Sequence, residues 1–235
     1  MKFQHLCVLA AAVCCTPVFA DDLDNVRSLT QAEFGQLAKD FTAAGSYKSV
    51  SPAEPLGITG FDIGVELTST KMEHGDIWKK AGGDNSTVYL PKVHVHKGLP
   101  FGVDIGASLS GVPGSDIKLG GAEIKYAFLE GGVATPAVAV RAAVTRLFGV
   151  DELDMNTRSV ELLVSKGFLN ITPYAGVGKV WGTLTPEFAG LSKETPNASK
   201  IFAGVNFNLG LANIATEFDR TGGNKSISVK LGFRL

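Results

Sequence analysis

The sequence predicts an all-β chain folded as a closed antiparallel barrel of about ten strands, with eight to twelve as the range, that crosses a membrane. A short amphipathic helix is expected ahead of the first strand. Three observations predict this. Apolar and polar residues alternate with a period of two along most of the chain, long and short connections broadly take turns, and the chain stops inside a strand, ISVKLGFRL, Ile227 to Leu235.

The first twenty residues read as an export signal rather than as structure. Lys2 supplies a positive end, Leu6 to Val13 an apolar stretch, and Val18-Phe19-Ala20 a small-x-small cleavage site ahead of Asp21. Cleavage is expected after Ala20. All three cysteines, Cys7, Cys14 and Cys15, fall inside that segment, so neither a disulfide framework nor a thiolate metal site is expected in the mature chain. After it, no stretch approaches the roughly 18 to 20 apolar residues of a spanning helix. Strands are therefore the remaining way to cross a bilayer.

Residues 21–56 form a second region. Thr30 followed by Glu33 makes a capping box, and Phe34, Leu37, Ala38 and Phe41 repeat at helical spacing, which predicts an amphipathic helix from Gln31 to Ala44 ended by Gly45. Pro52 and Pro55 then make a stiff connection. The helix is expected either in the lumen as a plug or against the periplasmic rim, and the sequence leaves both open.

Residues 57–235 carry the barrel. In GFDIGVELT, Phe61, Ile63, Val65 and Leu67 share one face, opposite Asp62, Gly64, Glu66 and Thr68. FGVDIGASL, AEIKYAF and IFAGVNFNLGL repeat the pattern. Strands are expected near 57–71, 87–97, 100–111, 116–129, 135–147, 156–167, 170–183, 199–210, 212–220 and 225–235. KGLP, GFLN and GLAN read as tight turns, and KMEHGDIWKKAGGDNS, LFGVDELDMN and LTPEFAGLSKETPNA as long loops. Such parity suits a barrel with short turns in the periplasm, long loops outside and both chain ends on the periplasmic side.

At its end the chain resembles bacterial outer-membrane β-barrel proteins, whose last strand alternates apolar residues up to a terminal aromatic. Leu235 stands where Phe is usual, and the aromatic is displaced to Phe233. PLGITGFDIGVELT and LPFGVDIGAS are similar to stretches of a group of exported proteobacterial barrels. The resemblance implies the outer membrane of a Gram-negative cell, contact with its lipid, and recognition of the last strand by the barrel assembly machinery.

The polar face is the candidate functional surface. Asp62, Glu66, Lys92, His94, His96, Asp104, Glu123, Lys125, Arg141, Glu161, Glu217, Lys230 and Arg234 are expected to line the lumen, along with Asp219. A soluble sandwich or lipocalin-like barrel in the periplasm would also alternate, and loop parity and the C-terminus argue against it. The formal charge of -1 and the absence of a basic patch exclude a nucleic-acid binder. His94 and His96 sit on one strand face, where two imidazoles need a third ligand to hold a metal, so lumen filling is the plainer role and no metal or cofactor is assigned. No catalytic residue is assigned either, because nothing near the histidines resembles the motifs of barrel enzymes. Tyr174 and Trp181 suit an aromatic girdle, and Trp78 a ligand contact in the first loop.

About ten strands enclose too little space for a general diffusion porin. The expected function is transport, through a narrow or gated channel for small solutes with a charged lumen. The alternative is a closed structural or interaction barrel acting through its loops, and behind both stands a barrel enzyme acting on lipid.

Overall fold

The computed structural model describes residues 23–83, 85–111 and 117–235. The expected export signal lies outside the described residues. Ten strands run β1 Phe61–Lys71, β2 Thr87–Gly98, β3 Val103–Gly111, β4 Lys118–Glu130, β5 Ala137–Phe148, β6 Leu153–Ser165, β7 Ile171–Pro186, β8 Asn197–Leu209, β9 Ala212–Thr221 and β10 Asn224–Arg234. Each pairs antiparallel with its sequence neighbour, and β1 pairs with β10, so the sheet is a closed barrel with no free edge. The seam is continuous from Asp62 opposite Arg234 to Lys71 opposite Lys225. Beyond it, Phe61 and Leu235 exchange backbone hydrogen bonds of 3.2 and 2.9 Å, so the last residues of the chain complete the wall.

The pleat sorts the side chains. On β1, Asp62, Glu66, Thr68 and Thr70 are buried inside while Ile63 and Val65 are exposed outside. The same alternation holds around the barrel. At the turn before β3, Phe101 and Gly102 both take positive φ (64° and 70°), and a Cβ on Gly102 would come within 2.7 Å of the Ala127 carbonyl oxygen, so only glycine fits there.

Strand bounds differ from expectation in three places. Residues 57–60 form a turn, closed by Gly60 N–H on the Gly57 carbonyl, and β1 starts at Phe61. LFGVDELDMN is mostly strand: β5 continues to Phe148 and β6 begins at Leu153, because Leu153 and Met155 point inward into an apolar cluster. Similarly, β7 runs to Pro186 and β8 starts at Asn197.

Ahead of the barrel, a 3-10 turn, Leu23–Ser28, leads to helix α1, Gln31–Gly45; a second short helix, α2, Gly75–Lys80, lies in the first loop. The capping box forms, with Glu33 N–H on Thr30 Oγ1 at 3.3 Å and Thr30 N–H on Glu33 Oε2 at 2.8 Å. At the other end Lys48 folds back so that its ammonium donates to the Ala43 carbonyl at 2.9 Å, capping the buried end of the helix.

Candidate functional site

The space inside the barrel is occupied by the chain's own N-terminal region. Helix α1 sits in the mouth at the end that carries the longer loops. The segment after it, residues 46–56, runs down the lumen to the opposite end, where it turns into β1. Residues 42–53 are all buried. The path is marked by contacts with successive levels of the wall: Thr145 Oγ1 donates to the Gly45 carbonyl at 2.7 Å, Lys200 to that of Tyr47 at 3.2 Å, Lys125 to those of Pro52 and Glu54 at 3.0 Å each. Finally the Leu56 N–H reaches Asp104 at 3.1 Å. What reads in sequence as a stiff connection between helix and barrel is therefore a strap through the pore. Residues 23–30 consequently lie at the mouth, and the described ends of the chain sit at opposite ends of the barrel rather than together.

The mouth is closed by an apolar core. Phe34, Leu37 and Ala38 of α1 pack with Met72, Trp78, Leu90, Leu119, Leu153, Met155 and Leu184. Phe34 and Leu37 are fully buried, and each such side chain contributes about 1.5–3 kcal/mol. Trp78 belongs to this core, edge-on to Phe41 at 5.4 Å, and is not the free loop residue expected from sequence. The loop between β7 and β8 clamps the start of α1, with Gln31 donating to the Ser192 carbonyl and accepting from its N–H. Where α1 presses on the wall, glycine makes room: a Cβ on Gly182 would fall 1.9 Å from Thr42 Oγ1.

Below the helix the lumen is polar and its charges pair along the wall. Lys230, Asp62, His94, Glu66 and Lys92 form one chain, with successive separations of 2.8, 3.0, 2.9 and 2.6 Å. Both ring nitrogens of His94 face carboxylates, and its ring stacks on His96 at 4.9 Å. His96 lies 3.4 Å from Glu123 and 3.3 Å from the Tyr47 hydroxyl. Asp104 pairs with Lys125 at 2.9 Å, and Arg141 grips Glu161, which Lys200 also reaches at 2.8 Å. Lys92 also donates to the Lys48 carbonyl. Glu217 is buried on β9. Arg234 is half-buried at the rim opposite the mouth.

Asp62, His94 and His96 bring three possible ligand atoms within 4.8 Å of one another, as do Asp40, Glu73 and His74 at the mouth. In both clusters the groups already meet protein partners: Asp40 accepts from the His74 backbone at 2.8 Å and from Asn224 at 3.2 Å. Neither requires a metal.

Sequence reasoning passed over Lys200, Tyr47, Lys48 and Ser51. Lys200 was legible as an inward residue by parity with Phe202. The other three belong to the strap, whose sequence has no period to read. Tyr174, expected in a girdle, points inward and is buried; Trp181 faces out.

Among the strap residues, Val50 is fully buried with φ of 46°, a left-handed conformation that costs a β-branched residue about 1–3 kcal/mol. The surrounding wall holds it there. A cavity of about 30 Å³ between strap and wall, lined in part by Ser46, Lys48, Thr68 and Lys92, is room for about one water.

The outer wall is the opposite of the inner one. Val65, Val95, Ile124, Val144, Val160, Leu162, Val177, Ile201, Phe218, Val229 and Leu231 are all about half exposed and form a continuous apolar belt around the strands. Water does not tolerate a patch of that extent, and lipid requires it. The chain is a transmembrane β-barrel. Among its described residues no helix is long and apolar enough to cross a membrane.

No family model matches the barrel's sequence, and no curated protein matches it. Solved structures of similar shape include bacterial outer-membrane barrels and a de novo designed transmembrane β-barrel. The N-terminal β-barrel domain of Pseudomonas aeruginosa OprF is 12% identical, with a TM-score of 0.38, over 76% of this chain and 99% of that one. The KdgM porin is 7% identical, with a TM-score of 0.39, over 73% and 98%. Ail, the attachment invasion locus protein of Yersinia pestis, is 12% identical, with a TM-score of 0.30, over 75% and 97%.

Proposed function

We propose that this protein is an outer-membrane barrel with a closed lumen, built to hold a rigid surface of α1, α2 and the β7–β8 loop toward an external partner. The observation that carries this reading is the apolar core at the mouth, which joins the helix to both long loops and to the wall. Drawing α1 out would expose Phe34, Leu37, Trp78 and Leu184 together, which makes the helix part of the fold rather than a loose gate.

A second reading has an observation of its own. Below the helix the wall's charges pair with each other, and the strap meets them mainly through neutral backbone carbonyls. Withdrawal of the strap would leave a paired, hydrated lumen, as a gated channel for small solutes needs. Planar-bilayer recording separates the two. The full-length chain is expected to be silent under applied voltage. Steady, ion-selective openings of the full-length chain would overturn the closed-lumen reading in favour of the channel.

A further inference from the structure

Above the apolar belt, at the mouth end, the outer wall turns cationic. Lys71, Lys225 and Arg220 stand on β1, β10 and β9 as directly opposed partners, Lys71 with Lys225 and Lys225 with Arg220. All three are exposed, while their inward neighbours Thr70, Ser226, Asp219 and Thr221 are buried, so all three point away from the barrel. Like charges directly opposite on a sheet repel. Neither lysine has an ion-pair partner among the described residues, where the acid at the adjacent turn, Glu73, lays its carboxylate over Gly223, and Arg220 donates to the Gly222 carbonyl at 3.1 Å. Arg158, Arg146 and Lys118 continue the band, with Asp154, 3.9 Å from Arg146, the acid that faces it.

A groove in the outer wall begins at this band. Its upper part, about 780 Å³, is bounded by Arg220 and Lys179 above and by Val160, Val177 and Ile201 below. It continues into a second part of about 500 Å³ that shares Leu162, Val177 and Ile201 and is otherwise lined by apolar and small residues, among them Ala175, Ala203 and Phe218. Cations at the head and an apolar channel beneath them are the two halves of one amphiphile's outline.

We propose that this groove and the Lys71–Lys225–Arg220 row bind a lipid with a phosphate-bearing head from the leaflet at the mouth end. The phosphate would sit on the row, relieving its repulsion with charge-assisted hydrogen bonds, and an acyl chain would lie along β7 in the groove. The inference goes beyond the closed-lumen reading and is independent of whether the lumen conducts.

The test uses the full-length protein in phosphatidylcholine vesicles doped with either phosphatidic acid or diacylglycerol, two lipids that differ only in the phosphate. Lipid retained after mild detergent extraction is counted by native mass spectrometry. Phosphatidic acid is expected to be retained in preference to diacylglycerol. The combined Lys71→Gln, Arg220→Gln, Lys225→Gln variant is expected to retain it roughly a hundredfold less, since each surface cation contributes about a factor of five. Lys71→Arg with Lys225→Arg should retain it as the wild type does. Equal retention of the two lipids by the wild type overturns the proposal, and this comparison stands even where the triple variant does not fold. Equal retention by a folded triple variant overturns it too. Displacement of the lipid by inorganic phosphate alone would reduce the site to one for a free anion and overturn the lipid assignment.

Discussion

Lys125 and Asp104 face each other across β4 and β3 at 2.9 Å, and the same ammonium holds the Pro52 and Glu54 carbonyls of the strap at 3.0 Å each. One wall cation thus binds a wall acid and the thread inside it. Lys125→Met leaves a buried carboxylate and two carbonyls short of a donor. The expected loss is about 3–5 kcal/mol, the usual cost of breaking a buried pair. Urea unfolding of the lipid-reconstituted barrel measures it, and an unmoved midpoint would mean that strap and wall are not coupled there.

Gly182 and Thr42 give a second coupling, this one steric. A methyl on Gly182 meets Thr42 Oγ1 at 1.9 Å and its Cβ at 2.9 Å. Gly182→Ala should cost about 1–3 kcal/mol through overpacking. Thr42→Ala in the same chain removes the hydroxyl and methyl in the way and should recover part of the loss. The interaction term of that double-mutant cycle is the quantity to read, and a value near zero would place the helix elsewhere.

The Glu33 carboxyl is held at about 2, first by the Lys80 ammonium at 2.7 Å and then by the Thr30 backbone N–H. A carboxyl lowered in the folded state stabilises it above the unfolded value near 4.5 and loses that contribution as pH falls toward about 2. Protease nicking of residues 31–45 in the intact barrel should therefore stay flat from neutral pH to about 4.5 and rise only below it, measured with an acid-active protease. The pair is exposed, so its effect should also weaken with salt. Glu33→Gln should abolish the pH step; a step that persists in this variant would assign it to another group.

Trp78 fills the mouth core, and a Cβ on Gly83 would strike its ring at 2.1 Å, so the loop is shaped around the indole. Trp78→Ala should destabilise the mouth by about 3–5 kcal/mol. Cleavage within α1 by added protease should accelerate while the strands stay folded by circular dichroism. Simultaneous loss of both signals would show that mouth and wall unfold as one unit.

The strands were legible because lipid outside and a packed lumen inside impose a strict period of two, and Phe61 to Leu67 or Ile227 to Phe233 can satisfy it in one register only. Helix α1 was legible from Thr30, Glu33 and the Phe34–Leu37–Phe41 spacing, because caps and stripes are local. Its place was not. Whether Phe34 faces a membrane surface or Leu184 depends on contacts across 150 residues that no local pattern encodes. The strap was read as a linker because its interactions are made largely by backbone groups, which every residue carries. Wall residues such as Arg141 and Glu161 were found by parity, but their pairing with Lys200 and Ser51 became visible only in three dimensions.

The strap through the pore also dictates an order of events. Once β1 has zipped to β10, leaving residues 46–56 in the lumen would mean drawing the apolar stripe of α1 past the paired charges of the wall. The thread is therefore expected to be in place before the seam closes, with the wall wrapping around it as the last and longest-range pairing forms. A ring assembled without residues 23–56 would stay empty, and the same stretch supplied later as a free peptide should not restore the native interior.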